Sequence, residues 1–155
     1  MAYRHARQKI AALVEATTPS RQVRGLAARF AHDESGEIER IAADSRRFFL
    51  RALSGEAHAP STASFQRRTI QLAIVVDYAD DVDVSLLDEV IVEDADAIIA
   101  TLATGQYWAT STSTIVAISA PADSLLPYTI EDAGNGAARR LTLTAAVTYD
   151  TRTPT

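Results

Sequence analysis

The fold of this chain is decided by the stretch from residue 69 to residue 78, which reads Thr-Ile-Gln-Leu-Ala-Ile-Val-Val-Asp-Tyr. Apolar side chains at every second position predict a long β-strand, and Ala73 and Val75 between them predict that both of its faces are largely covered. Residues 84–104 follow with an apolar stripe at helical spacing. The stretch therefore predicts a strand and then a helix that packs on it, which is the start of an α+β layer.

The other regular elements follow from the same two periods. Residues 2–17 carry a one-sided apolar stripe and predict a second helix, which ends near Pro19. Period-two segments predict three further strands, at 46–53, 113–119 and 139–149. Together these elements predict a single α+β domain over residues 1–155, with one mainly antiparallel four-stranded sheet that receives both helices on one face.

The connections are read from turn and loop residues. Asn135-Gly136 is a strong turn signal, so we expect Tyr128 to Glu131 to pair as a hairpin with the first half of the last strand. Residues 20–45 are predicted to be irregular, with one short helix around 37–43. Residues 54–66 hold small and polar side chains and predict a mobile hairpin loop that is longer than a turn requires. Residues 150–155 are expected to fray.

The composition excludes several classes of function. The chain is 47% hydrophobic and 23% charged and has no cysteine, which removes disulfide scaffolds, thiol catalysis and Cys-type zinc sites. It has no glycine-rich phosphate loop, no nucleophile elbow and no H-E-x-x-H motif. We therefore predict that it is not an enzyme and uses no cofactor. No window approaches 18 consecutive apolar residues, which predicts a cytosolic chain that does not span a membrane.

Acidic residues are densest between residues 77 and 96, where nine occur without one base. A hard cation could use such oxygen ligands, but the spacing lacks the glycine and the final acid of a calcium loop. A second interpretation of these acids is a helix cap with a solvated acidic face. A third interpretation is a negatively charged wall or a subunit contact. A carboxylate pair for acid/base hydrolysis, such as Asp80 with Asp83, would need one member to be buried.

Arginine supplies 14 of the 15 basic residues, and three Arg-Arg pairs open predicted strands. Arginine suits phosphate, so nucleic-acid binding is one interpretation. Because the chain is acidic overall, arginines that reach carboxylates at the sheet edge are favoured over it. The pairs are at 46–47, 67–68 and 139–140.

Charge is also divided along the chain. Residues 1–52 hold ten basic residues against six acids, whereas residues 53–155 hold five against fourteen. Portions of opposite sign can pair within one subunit, or they can attract one copy to the next.

Five segments in this order resemble the tail-terminator (tail-completion) proteins of long-tailed bacteriophages and gene transfer agents. The resemblance covers nearly the whole chain and lies in the order of its elements and in the residue pattern of each. Its segments are the helix Arg4 to Ala16, Arg-Arg-Phe-Phe-Leu-Arg at 46–51, Arg-Arg-Thr-Ile-Gln-Leu-Ala-Ile-Val-Val-Asp-Tyr at 67–78, Glu-Asp-Ala-Asp-Ala-Ile-Ile at 93–99, and Arg-Arg-Leu-Thr-Leu-Thr-Ala-Ala-Val-Thr-Tyr at 139–149.

The resemblance implies a virion protein of the tail and neck, assembled in the bacterial cytoplasm as a ring that is typically hexameric. Such a ring caps the tail tube, stops its polymerisation and joins it to the head connector. Its partners are other copies of itself, the tail tube protein and the connector or stopper, while DNA passes through the lumen without specific binding.

Three groups of residues are assigned to these contacts. The acids at the lumen or subunit interface are Asp77, Asp80, Asp81, Asp83, Asp88, Glu89, Glu93 and Asp96. The arginines expected to meet neighbouring acids are Arg4, Arg7, Arg46, Arg47 and Arg51. The residues of loop 54–66 expected to dock on the tube or connector are Glu56, His58, Pro60 and Phe65.

Other functions stay open at this point. The nearest alternative is a head-closure, stopper or other neck protein of the same particle. A small domain that binds a metabolite at the sheet-helix edge is a different class, since compact α+β sheets host many such modules. A hydrolase that uses the carboxylate pair is the third.

Overall fold

The computed structural model describes residues 2–21, 29–32, 46–57, 65–79, 84–104, 113–119, 128–132 and 138–152. Two helices and six strands occur within them. In chain order these are α1 (Ala2–Ala16), β1 (Ala31–His32), β2 (Arg47–Ala57), β3 (Phe65–Ala79), α2 (Val84–Thr104), β4 (Ser113–Ser119), β5 (Tyr128–Asp132) and β6 (Ala138–Arg152).

The strands form one mixed sheet in the order β1-β2-β3-β6-β4, with β5 also paired to β6. β1 runs parallel to β2, and all the other pairs are antiparallel. β5 pairs with the first part of β6 and β4 with the last part, so two short strands lie along one long one. The predicted α+β class and the predicted hairpin of β5 with β6 are confirmed.

The prediction of four mainly antiparallel strands is wrong in its count. β1 is only two residues long, too short to show any period in the sequence. The predicted count of four did not include Tyr128 to Glu131, which were expected only to pair with the start of the last strand. They lie in a separate strand, β5, because β6 is 15 residues long and can pair with both β5 and β4. The short helix expected around 37–43 lies outside the described residues.

Two predicted ends are also corrected. Residues 54–57 and 65–66 belong to β2 and β3 rather than to a loop, and their register partners include Gly55 with Ile70 and Phe65 with Arg152. Small residues such as Ser54 and Gly55 hide the period of two, although their backbone continues the ladder. At the other end, β6 runs to Arg152, so residues 150–152 are paired with neighbouring strands rather than frayed.

The core lies between the two helices and one face of the sheet, which we call the helix face. It contains apolar side chains of both helices and the alternate positions of the long strands, among them Val14, Leu87, Ile74 and Leu143. On the opposite face, Phe49, Ala73 and Val75 form a smaller buried cluster. Both helices occupy the predicted residues because their apolar stripes are covered by the same sheet face.

Candidate functional site

A buried carboxylate joins α2 to the start of β2. Asp94 and Arg46 are both 0% exposed. Arg46 Nε donates to Asp94 Oδ2 at 2.9 Å, and its terminal Nη2 donates to Oδ1 at 3.2 Å. Tyr78 of β3 donates its hydroxyl proton to Oδ2 at 2.8 Å. Burial of that hydroxyl and the adjacent carboxylate raise the pKa of Tyr78 well above its ordinary value.

The same carboxylate holds the chain that leaves α1. Ser20 donates its amide to Asp94 Oδ1 at 3.0 Å and its hydroxyl at 2.7 Å, and Arg46 Nη2 donates to the carbonyl of Arg21 at 3.0 Å. The carboxylate thus accepts from five donor atoms, while a carboxylate offers about four lone-pair positions. Its hydrogen-bonding capacity is filled, which is the arrangement of a structural anchor.

Arg46 also has the only left-handed backbone found among the described non-glycine residues, with φ at 60°. That conformation costs a non-glycine residue about 1–3 kcal/mol and persists when its surroundings fix it. Here the Arg46 amide donates to the carbonyl of Asp77 at 2.8 Å, and its carbonyl accepts from the amide of Ala31 at 3.1 Å. Its guanidinium lies 5.9 Å from the centre of the Phe30 ring. The strained residue is therefore held at both its backbone and its side chain.

The Arg-Arg pair at the start of β6 is divided between the two faces of the sheet. Arg139 donates to Asp88 of α2 at 2.8 Å, and Arg140 Nε donates to Asp77 of β3 at 2.8 Å. Successive strand residues point to opposite faces, so one arginine meets the helix and the other stays on the opposite face. Arg140 also lies 5.9 Å from the centre of the Phe49 ring.

Charges of alternating sign cross the opposite face in one row. Register pairs place Arg47 of β2 beside Asp77, Asp77 beside Arg140, and Arg140 beside Glu131 of β5. Asp77 is only 5% exposed, so its carboxylate is enclosed between two strands that each carry an arginine. Cross-strand neighbours of opposite charge stabilise a sheet pairing, and this row favours the observed register of β2, β3, β6 and β5.

A further ion pair lies on the surface of α2. Arg21 Nε donates to Glu93 at 2.8 Å, and its Nη2 lies 3.8 Å from Glu89. The hydrogen bond from Arg21 lowers the pKa of Glu93, and the same bond raises the pKa of Arg21. Arg21 therefore ties the chain after α1 to the outside of α2, beside the buried anchor at Asp94.

Two residues assigned to subunit contacts are used inside the fold instead, and these assignments are corrected. Arg46 has no exposed surface and binds Asp94 of its own chain, and the nearly buried Asp77 binds Arg140. The interpretation that the Arg-Arg pairs reach carboxylates is confirmed at Arg46, Arg139 and Arg140. Its placement of those carboxylates at the sheet edge is wrong, because Asp94 and Asp88 lie on α2 and Asp77 lies on the interior strand β3.

The other assigned residues divide by accessibility. Arg4, Arg51, Glu89 and Asp96 are exposed, and Arg7, Arg47, Asp88 and Glu93 are half-buried. The assignments of Asp80, Asp81, Asp83, His58 and Pro60 lie outside the described residues. Glu56 and Phe65, expected in a docking loop, stand instead in β2 and β3 opposite Thr69 and Arg152, because the hairpin ladder continues to them.

Sequence reasoning missed the roles of Ser20, Arg21, Tyr78 and Asp94. Asp94 did carry a signal, since it stands three residues after Ile91 and four before Ile98 and so lies on the apolar side of the helix. An acid at such a position requires a buried partner. For Ser20 and Arg21 the sequence holds no corresponding signal, because they meet α2 only through the tertiary fold.

One cleft of about 350 Å³ lies at the end of α1 and is lined by Glu15 to Pro19 and Arg29. Two of its polar groups bond within the fold: the Thr17 hydroxyl donates to the Leu13 carbonyl at 3.0 Å, and Glu15 accepts from the His32 amide at 3.3 Å. A ligand pocket needs convergent polar groups in an apolar cavity, so this cleft does not favour the metabolite-binding alternative.

Within the described residues, no group of three or more potential ligands could hold a metal ion. No described helix is long and apolar enough to cross a membrane. No protein-family model matches the chain, and no curated protein matches it.

Proposed function

We propose that this protein is a structural subunit of a tail-terminator ring. The ring closes the tail tube of a long-tailed bacteriophage or gene transfer agent, stops tube polymerisation and joins the tube to the head connector. Its partners are further copies of the chain, the tail tube protein and the head-tail connector or stopper. DNA passes through the lumen without specific binding, and the protein resides in the tail and neck of the virion.

The observation that carries the proposal is the distribution of the accessible charges. Exposed arginines lie on α1 and β2: Arg4 is exposed on α1, and Arg51 is exposed on β2, on the sheet face opposite the helices, where its register partner is Ala73. On the outer side of α2, Glu89 and Asp96 are exposed. Closed rings use two different patches on each subunit, and oppositely charged patches favour that arrangement.

The positions of the resembling segments also support the proposal. Each of the five segments falls largely within one regular element, and those elements share a single core. Arg-Arg-Phe-Phe-Leu-Arg begins one residue before β2, and Arg-Arg-Leu-Thr-Leu-Thr-Ala-Ala-Val-Thr-Tyr lies within β6. The segments on which the resemblance depends are therefore framework elements of the described domain.

The test combines particle imaging with an assay of tube assembly. Purified protein should form closed rings by negative-stain electron microscopy, and the same preparation should stop the lengthening of purified tail tubes when added in small amounts. Protein that remains monomeric at high concentration, alone and with tube ends, would contradict the proposal.

The alternative function, a head-closure or stopper protein of the same neck, predicts a different neighbour for the subunit in the intact particle. The tail-terminator proposal expects labelled protein directly on the last ring of the tube. Labelled protein that contacts only connector subunits would replace it with the head-closure function.

A further inference from the structure

Two large hydrophobic side chains are exposed among the described residues, and they lie on different elements. Leu53 of β2 is 51% exposed and Val92 of α2 is 38% exposed. Single exposed hydrophobic residues are common on protein surfaces and need no explanation by themselves. What distinguishes this pair is the opposite charge of the residues around each member.

Leu53 lies two residues after the exposed Arg51 on β2. The register of β2 with β3 shifts between Ala52 and Ser54, so Leu53 occupies a bulge and has no register partner on β3. Arg51 is on the sheet face opposite the helices, where its register partner is Ala73. A bulge redirects a side chain away from the regular ladder, which here leaves a leucine accessible close to Arg51.

Val92 lies among carboxylates. Glu89 stands three residues before it and Asp96 four residues after it, so both share its side of the helix, and both are exposed. Glu93 lies next to them with its side chain 42% exposed, and Arg21 is shared between Glu89 and Glu93. Three carboxylates against one guanidinium leave this surface acidic.

We propose that Leu53 of one copy packs against Val92 of the next copy, with Arg51 facing Glu89 and Asp96. The inference rests on the proposed function, because it names the two surfaces through which the ring closes. Contacts between like surfaces would bring arginines against arginines or carboxylates against carboxylates, which is unfavourable. Each copy therefore offers its β2 side to one neighbour and its α2 side to the other, as a ring requires.

The sequence permits a clean cross-linking test, because it contains no cysteine. The variants are Leu53→Cys and Val92→Cys, each made alone, mixed in equal amounts and treated with a short bis-maleimide linker. The mixture should give a band at twice the 16.7 kDa monomer mass. A mixture of Leu53→Cys with Thr129→Cys, an exposed position on β5, is the matched control and should stay monomeric.

Cross-linking of the chain that carries both Leu53→Cys and Val92→Cys should give a ladder that stops at the ring size. If rings form but the mixed variants cross-link no more than the control, this interface is wrong and the proposed function stands. If neither the parent protein nor any variant forms rings, the proposed function and the proposed interface both fail.

A charge exchange tests the interface by a second route. Arg51→Glu alone and Asp96→Arg alone should each reduce the fraction of protein found in rings, and combining them in one chain should restore it. Circular dichroism establishes that each variant is folded. Reduced assembly in both single variants without recovery in the combined chain would show that these residues do not face each other.

Discussion

The guanidinium of Arg46 is enclosed with the carboxylate of Asp94, at 2.9 Å from Nε to Oδ2, and neither side chain reaches solvent. Arg46 immediately precedes β2, and Asp94 lies in the middle of α2, so this pair fixes the helix against the sheet. Breaking a buried ion pair by removing one charge leaves the other uncompensated in an apolar environment.

Replacing the buried carboxylate should therefore be costly. Asp94→Asn keeps the shape of the side chain, leaves the Arg46 charge without its partner, and is expected to lower the free energy of unfolding by about 3–5 kcal/mol. Urea unfolding followed by circular dichroism measures the change. The control is Asp96→Asn on the exposed side of α2, expected to change stability by no more than about 0.5 kcal/mol. Equal effects of the two variants would contradict the anchoring role.

Removing both charges should cost less than the sum of the single changes. Arg46→Met leaves Asp94 charged and Asp94→Asn leaves Arg46 charged, whereas the double variant leaves neither. The expected coupling in a double-mutant cycle is about 1–3 kcal/mol. Strictly additive unfolding free energies would show that the two groups do not interact across the interface between α2 and β2.

Tyr78 should make stability fall in alkaline solution. Burial raises its pKa well above 10.0, so the unfolded chain loses the phenolic proton before the folded protein does. The stabilisation is fully present below the unfolded pKa and is lost as the pH rises from there through the folded pKa. Tyrosinate absorbance and urea unfolding, compared between the parent protein and Tyr78→Phe, measure this effect.

A weaker fall remains in Tyr78→Phe, because burial also raises the pKa of Tyr149. If the alkaline dependence were identical in both proteins, ionisation of Tyr78 would not be coupled to folding.

The charge row on the opposite sheet face predicts a cost for Asp77→Asn. Arg140 would lose its charged hydrogen-bond partner, and Asp77 lies between Arg47 and Arg140, so the expected loss is about 2 kcal/mol. Glu131→Gln, at the exposed end of the same row, serves as the control and should change little. Thermal and urea unfolding measure the stability of both variants. A larger loss of stability in Glu131→Gln than in Asp77→Asn would contradict the central role of Asp77 in the row.

The ion pair of Arg21 with Glu93 should stabilise the folded protein at neutral pH and lose this effect in acidic solution. Its hydrogen bond lowers the pKa of Glu93 below 4.5, so the contribution is present above the unfolded pKa and disappears as the pH falls through the folded one. The side chains of Arg21 and Glu93 are 39% and 42% exposed, so added salt should weaken the effect. Glu93→Gln should flatten the acid limb of the stability curve at low salt, and an unchanged limb would contradict the pairing.

The sequence alone determined the framework of this protein. Large apolar side chains at every second position of residues 69–78 and 139–149, and the apolar stripes of 2–17 and 84–104, placed the long strands and both helices. Side-chain periodicity does this because it must match the face that is buried. The turn signal at Asn135-Gly136 in the sequence predicted the pairing of β5 with β6. Where side chains are small, as at Ser54 and Gly55, the period vanishes, and the end of β2 was predicted at residue 53 instead of Ala57.

Only the tertiary structure decided which charge meets which. The sequence has arginines at strand starts and acids along α2. This pattern is consistent with pairing within the chain and also with contact between two copies. The fold brings Arg46 to Asp94 and Arg140 to Asp77 across 48 and 63 residues, and it leaves Arg51, Glu89 and Asp96 at the surface. Charge partners are chosen by distance in space, which a linear pattern of residues does not specify.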